Sequence, residues 1–290
     1  MEVVPLYIKV LTYSFVIAYM FSVGMGTTSG QIKSVLRDSK LTVPALLANW
    51  VLVPIVGVIL TSFIAVPPDI KIGLLLLAVA PGGLFALNFA RVSGSNINLA
   101  VALLLLLSIT SIVITPLLAH FIFGSAAEFG SIFRIMIKLF LLVLVPLYAG
   151  RLTASLFSQP VALKMARLIG IASIVLFITV TLLSSSIKSP AMKLIGTGGL
   201  GIIIFLVVSS WIIGWFLGGP DVHNKIVMAL STSLRNVGVC MPLAIHQFSS
   251  ENVVVALLAF SGISIPMNFL FSTVMKFVFK HRKEAVVPKV

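Results

Sequence analysis

Nine apolar stretches, at about 5 to 26, 41 to 63, 70 to 90, 97 to 123, 132 to 150, 165 to 187, 195 to 218, 224 to 246 and 252 to 276, take up most of the chain and leave only short loops between them. Each is close to the roughly 20 residues a helix needs to cross a bilayer. The composition agrees, with 59% hydrophobic and 9% charged residues, where soluble chains carry about a quarter charged. The expectation is an all-α polytopic membrane protein of about nine transmembrane helices, a single transmembrane domain over 1–290.

The net charge of +13 does not mark a nucleic-acid binder, because the basic residues are spread over loops instead of gathered on one face. With the N-terminus outside, Lys33, Arg37, Lys40, Arg91, Arg151, Lys164, Arg167, Lys225 and the tail from Lys276 fall on the cytoplasmic side. Thirteen basic residues then face in, against six facing out, as the positive-inside rule requires. The predicted location is the cell (inner) membrane, with the C-terminus cytoplasmic. The first segment follows Met1 and Glu2 with no basic leader, so it reads as a spanning helix and not a cleaved signal.

All seven acids, Glu2, Asp38, Asp69, Glu128, Asp221, Glu251 and Glu284, lie in loops or at segment ends. Without paired carboxylates at membrane depth there is no constellation for general acid–base chemistry, so no enzyme is expected. Cys240 is the single cysteine, which leaves no disulfide or zinc framework. His120 and His246 sit near helix ends and read as structural. No metal, cofactor, nucleic acid or obligate protein partner is expected, only the lipid bilayer and a small solute.

Arg235 breaks this pattern, because it stands near the middle of the eighth segment. A guanidinium there costs at least about 2.5 kcal/mol on insertion scales, so it must face a cavity or protein partners. Its neighbours Ser231, Thr232, Ser233 and Asn236 are polar, and Gly238 and Pro242 loosen the helix beyond. Segment three carries a second interruption, Ala80-Pro81-Gly82-Gly83-Leu84-Phe85-Ala86-Leu87-Asn88. Two broken helices running in opposite directions, in matching places of two halves, are the pattern of an inverted-repeat transporter. Pro116 and Pro266, in the segments after each break, support the same repeat. The predicted substrate site takes Gly82, Gly83 and Asn88 from the first break and Ser231, Thr232, Ser233, Arg235 and Asn236 from the second. Arg235 has two readings here, as the charge partner of an anion and as a donor to backbone carbonyls freed by the break. Positive ends of half-helix dipoles would add to the first.

These residues resemble the bile acid:sodium symporters and their relatives that carry other organic anions. The matching pieces are Met20-Phe21-Ser22-Val23-Gly24-Met25-Gly26, Asn49-Trp50-Val51-Leu52-Val53-Pro54, Pro81-Gly82-Gly83 and Arg235-Asn236-Val237-Gly238. The resemblance implies a panel domain and a core domain, the core around 70–123 and 222–277 with two broken helices crossing in it, and the panel from the remaining helices. Some members have ten helices, so nine here looks like loss of the first. It also implies two sodium sites. The positions matching the first are Ala86, Leu87, Ala100 and Leu104, none of which can ligate sodium by its side chain. Those matching the second are Asn49, Ser231 and Arg235, of which Asn49 and Ser231 keep a side-chain oxygen. Sodium coupling is therefore expected to be lost or altered, with the Arg235 charge in the place of the bound cation. Phe85, Leu87 and Leu104 should make the pocket more apolar. The function this implies is secondary transport of a small organic anion. The alternatives are a sodium-coupled symporter with an altered ion site and a membrane-embedded anion receptor.

Overall fold

The computed structural model describes residues 5–27, 39–83, 85–124, 129–185, 198–244, 248 and 250–286. Glu2, Lys33, Arg37, Asp38, Leu84, Glu128, Lys188, Lys193, His246 and Lys289 lie outside the described residues. The elements are α1 (Leu6–Gly26), α2 (Ser39–Leu47, a π-helical turn Ala48–Leu52, then Val53–Phe63), α3 (Pro68–Val79), α4 (Ala86–Ser93) and α5 (Ile97–Phe123). They continue with α6 (Phe129–Leu139, a π-helical turn Phe140–Leu144, then Val145–Ala154), α7 (Gln159–Ser185), α8 (Gly199–Leu217), α9 (Val222–Ser233), α10 (Val237–Leu243) and α11 (Glu251–Val286). Among the described residues, seven helices are long and apolar enough to cross a membrane: α1, α2, α5, α6, α7, α8 and α11. The other two apolar segments each form a pair of short helices, α3 with α4 and α9 with α10, around a non-helical break.

Both π-helical turns have the same local cause. Pro54 and Pro146 each follow one by two residues, and a proline inside a helix lacks its N–H and presses on the carbonyl four residues back. Widening the preceding turn to i→i+5 bonding relieves that contact. In α2 the Val53 N–H donates to the Ala48 carbonyl, and the next residue, Pro54, has no N–H to offer Asn49. The Asn49 carbonyl is thereby left open to another donor.

Hydrocarbon gives helices no hydrophobic reason to associate, so close backbone approach through small residues takes over. Helix α1 packs most heavily on α7 and α6. A Cβ on Gly24 would strike the Leu147 carbonyl of α6, and one on Gly150 would strike the Phe21 carbonyl of α1. A second set gathers around the breaks: α8 packs on α9 and α2, α3 on α11 and α2, and α4 on α11, α9 and α5. Buried side chains such as Met20, Leu76, Leu77, Ile203, Met228 and Phe260 fill the interior. Large apolar side chains including Phe63, Phe121, Phe133, Phe205 and Phe216 are exposed, as a lipid-facing surface requires.

Candidate functional site at the crossed helix breaks

Helix α3 stops because Ala80-Pro81 turns to extended backbone, and α9 stops where Leu234 does the same. The freed strands pass each other antiparallel, with Gly82 bridged to Arg235. The Gly83 N–H donates to the Leu234 carbonyl, and the Asn236 N–H donates to the Pro81 carbonyl at 2.9 Å. Only residues without side chains fit here. A Cβ on Gly82 would collide with the Ser231 carbonyl, and one on Gly83 would lie 2.8 Å from the Arg235 carbonyl oxygen.

A helix end leaves carbonyls without intrahelical donors, and buried ones must find partners elsewhere. Arg235 supplies most of them. Its side chain is 4% exposed and extends into the gap between the ends of α3 and α9. Nε donates to the Leu77 carbonyl at 2.9 Å and Nη2 to the Ala78 carbonyl at 2.8 Å; Pro81 has no N–H for the first, which keeps only a 3.2 Å bond from the Ala80 N–H, and the break removes the helical donor of the second. Nη1 donates to the Thr232 carbonyl and to Asn49 Oδ1, both at 3.0 Å. Nη2 also lies 3.5 Å from the Asn49 carbonyl that Pro54 leaves open. The guanidinium's five N–H groups thus face five protein oxygens. Cys240 Sγ donates to the Leu76 carbonyl at 3.4 Å, so the end of α3 is bonded largely by the α9–α10 segment.

The polar neighbours of Arg235 are also engaged. Ser231 Oγ and Thr232 Oγ1 both donate to the Met228 carbonyl, at 3.1 and 2.7 Å. Ser233 Oγ lies 2.6 Å from Asn268 Oδ1, which also accepts from Trp211 Nε1 at 2.9 Å, so α9, α8 and α11 are tied together beside the break. Asn236 Oδ1 caps α10 through the Val239 N–H at 3.3 Å, while its Nδ2 is buried without a partner. Asn49 Nδ2 donates to the Ala45 carbonyl at 3.0 Å. The positions matching the other ion site, Ala86, Leu87, Ala100 and Leu104, are all buried.

Arg235 borders a void of only about 10 Å³, about the volume that holds one water. A larger cavity of about 310 Å³ lies between α1, α4, α5 and α7. Rings separate the two. Phe15, Phe85 and Phe177 border the small void and Tyr19 the large cavity. Their centroids lie 5.0 Å apart for Phe15 and Phe177, 5.2 Å for Phe85 and Phe177, and 5.9 Å for Tyr19 and Phe85.

Residues 13–194 match the family described as the sodium bile acid symporter family. The chain belongs to the sodium bile acid symporter family. It is 26% identical over 252 residues to the "Uncharacterized sodium-dependent transporter YocS" of Bacillus subtilis (strain 168), a stretch covering 81% of this chain and 74% of that one. It is 24% identical over 201 residues to the "Probable sodium/metabolite cotransporter BASS2, chloroplastic" of Oryza sativa subsp. japonica, covering 68% of this chain and 47% of that one. With its apolar helices, this symporter-family chain is a multi-pass membrane transporter.

Of the eight residues expected around the substrate, Gly82, Gly83, Ser231, Thr232, Ser233, Arg235 and Asn236 are gathered at the crossing, all buried. Asn88 alone of the eight lines the large cavity, with its Nδ2 3.5 Å from the Tyr19 hydroxyl. The ends of α3 and α9 that converge on Arg235 are C-terminal, so the partial charge there is negative and suits a cation. In this structure the guanidinium has no donor left over for an anion. Four contributors went unremarked for this purpose in the sequence: Asn268 and Trp211, whose pairing joins distant segments, and Arg91 and Arg167 on the large cavity. Arg91 was traceable, since it lies three residues after Asn88 and so on the same face of α4.

Proposed function

We propose that this symporter-family chain is a secondary transporter of a small organic anion in which Arg235 takes the place of a bound sodium ion. The observation that carries this reading is the set of five oxygens around the guanidinium, drawn from two helix C-terminal ends and Asn49. Hard cations take such oxygen shells, and here a tethered cation fills one. In the resembling symporters one carboxylate and two sodium ions sum to a single positive charge. Arg235 supplies that charge without them. Helices α1, α6 and α7 serve as the panel. The breaks form the core, with α2 and α8 packed on it and the N-terminus outside.

The second reading, sodium coupling through an altered site, draws on the word sodium in the names of both relatives. One experiment separates the two. In proteoliposomes, replacing sodium by potassium or choline should leave uptake of the transported anion within about twofold. A steep sodium dependence would sink the substitution of Arg235 for the ion.

A further inference from the structure

We infer that the cavity between α1, α4, α5 and α7 docks a small organic dianion whose two charges are read by Arg91 and Arg167. This rests on the reading of the chain as an organic-anion carrier and assigns the charge recognition to a different place from Arg235.

The cavity holds about 310 Å³, at the lower end of the range for small-molecule sites. Arg91 stands in the last turn of α4 and Arg167 in the N-terminal part of α7, and both line the cavity. Neither has a hydrogen bond or ion pair among the described residues, and no acid is among the residues lining the cavity. Two hydroxyls that line it are already spent on backbone carbonyls: Ser22 Oγ donates across to the Ala166 carbonyl of α7 at 2.7 Å, and Thr27 Oγ1 to the Val23 carbonyl of its own segment at 2.7 Å. What is left to recognise a ligand is two guanidinium forks, the Asn88–Tyr19 pair and an apolar wall of Leu87, Val101, Ile171 and Ile174.

Two like charges facing one crevice with low-dielectric walls reinforce each other's potential and draw in counter-charge. A guanidinium matches a carboxylate bidentately. A molecule with two carboxylates and a short hydrocarbon body neutralises both arginines and lays its chain on the apolar wall. A monocarboxylate leaves one arginine uncompensated. The contrast with Arg235 is one of availability: its donors are occupied, whereas those of Arg91 and Arg167 are open to the cavity.

The test is thermal unfolding of the purified full-length protein in detergent. The probes are straight-chain dicarboxylates of roughly four to eight carbons, with monocarboxylates of equal length as controls. Dicarboxylates should raise the midpoint more than monocarboxylates do. Arg91→Gln and Arg167→Gln should each remove at least about half of that rise while leaving the ligand-free midpoint unchanged. Arg91→Lys and Arg167→Lys, which keep the charge, should restore part of it and guard against a folding artefact. No advantage of dicarboxylates over monocarboxylates, or a rise that survives in both glutamine variants, overturns the proposal. A parallel titration with phosphatidylglycerol covers the other source of anionic groups. If that lipid stabilises the wild type through both arginines and dicarboxylates do not, the pair binds headgroups and the proposal fails. Dicarboxylate binding without uptake in proteoliposomes would defeat the transport reading and leave this site standing. Uptake undiminished in the Arg91→Gln/Arg167→Gln double variant would do the reverse.

Discussion

The break between α3 and α4 brings backbone to the crossing, whereas the break between α9 and α10 brings backbone and side chains. On the first, Pro81 removes a donor and Gly82 and Gly83 remove bulk, leaving the carbonyls of Leu77 and Ala78 exposed to whatever comes across. On the second, Arg235 fills that demand, Asn236 caps the next helix and Ser233 anchors the end of α9 to Asn268. One half supplies acceptors and space, and the other supplies donors. Two topologically similar breaks have therefore become complementary instead of equivalent. Each is the condition for burying the other.

This division can be broken most forcefully at Arg235. Arg235→Ala strips donors from the oxygens of Leu77, Ala78, Thr232 and Asn49, and each buried group left unsatisfied costs about 1–3 kcal/mol. Against a total stability of about 5–15 kcal/mol, the variant should lose most of its folded yield in fluorescence-detected size exclusion. Arg235→Lys, with three donors, should fall in between. An Arg235→Ala protein as stable as wild type would show that the acceptor half does not depend on the donor half. Gly82→Ala probes the space the first break leaves. The new methyl group meets the Ser231 carbonyl, so the midpoint of unfolding should drop by the equivalent of about 1–3 kcal/mol; an unchanged midpoint would mean the strands are not held in contact. The smallest effect is expected at Asn268→Leu, which leaves Ser233 Oγ and Trp211 Nε1 without their shared acceptor. A loss of about 1–2 kcal/mol, read as a lower midpoint, would sharpen the view that the second break is anchored by side chains.

The apolar segments were legible because membrane spans are written in local composition. Helix α5, expected at 97 to 123, is Ile97–Phe123. Both breaks were legible for a similar reason: Pro81-Gly82-Gly83 and Arg235 violate the local pattern. The partners of Arg235 were not legible, because four of its five acceptors are main-chain carbonyls, and a carbonyl has no letter in the sequence. The direction of the helix ends is not written there either, so the two C-terminal ends beside Arg235 were not anticipated, while its role as a donor to carbonyls freed by the break was one of its two readings. Arg91 and Arg167 were visible only as loop-proximal charges setting orientation. Their sharing of one cavity depends on how α1, α4, α5 and α7 come together, which no single segment encodes. Phe85 and Leu87 were expected to make the pocket apolar. Leu87 lines the large cavity, and Phe85 belongs to the ring cluster beside it.

The oxygen cage around Arg235 has a consequence for energetics across the membrane. A sodium ion in such a cage would dissociate on the far side and carry its gradient into the cycle, but a guanidinium bonded to the chain returns with the protein. On the proposed function, each turnover then moves the solute's own charge with nothing to compensate it. A membrane potential acts on that charge at about 2.3 kcal/mol per elementary charge per 100 mV. With the cell interior negative, the potential favours exit of a lone anion, so import by this design needs either exchange for another anion or an inward concentration gradient steep enough to offset the potential.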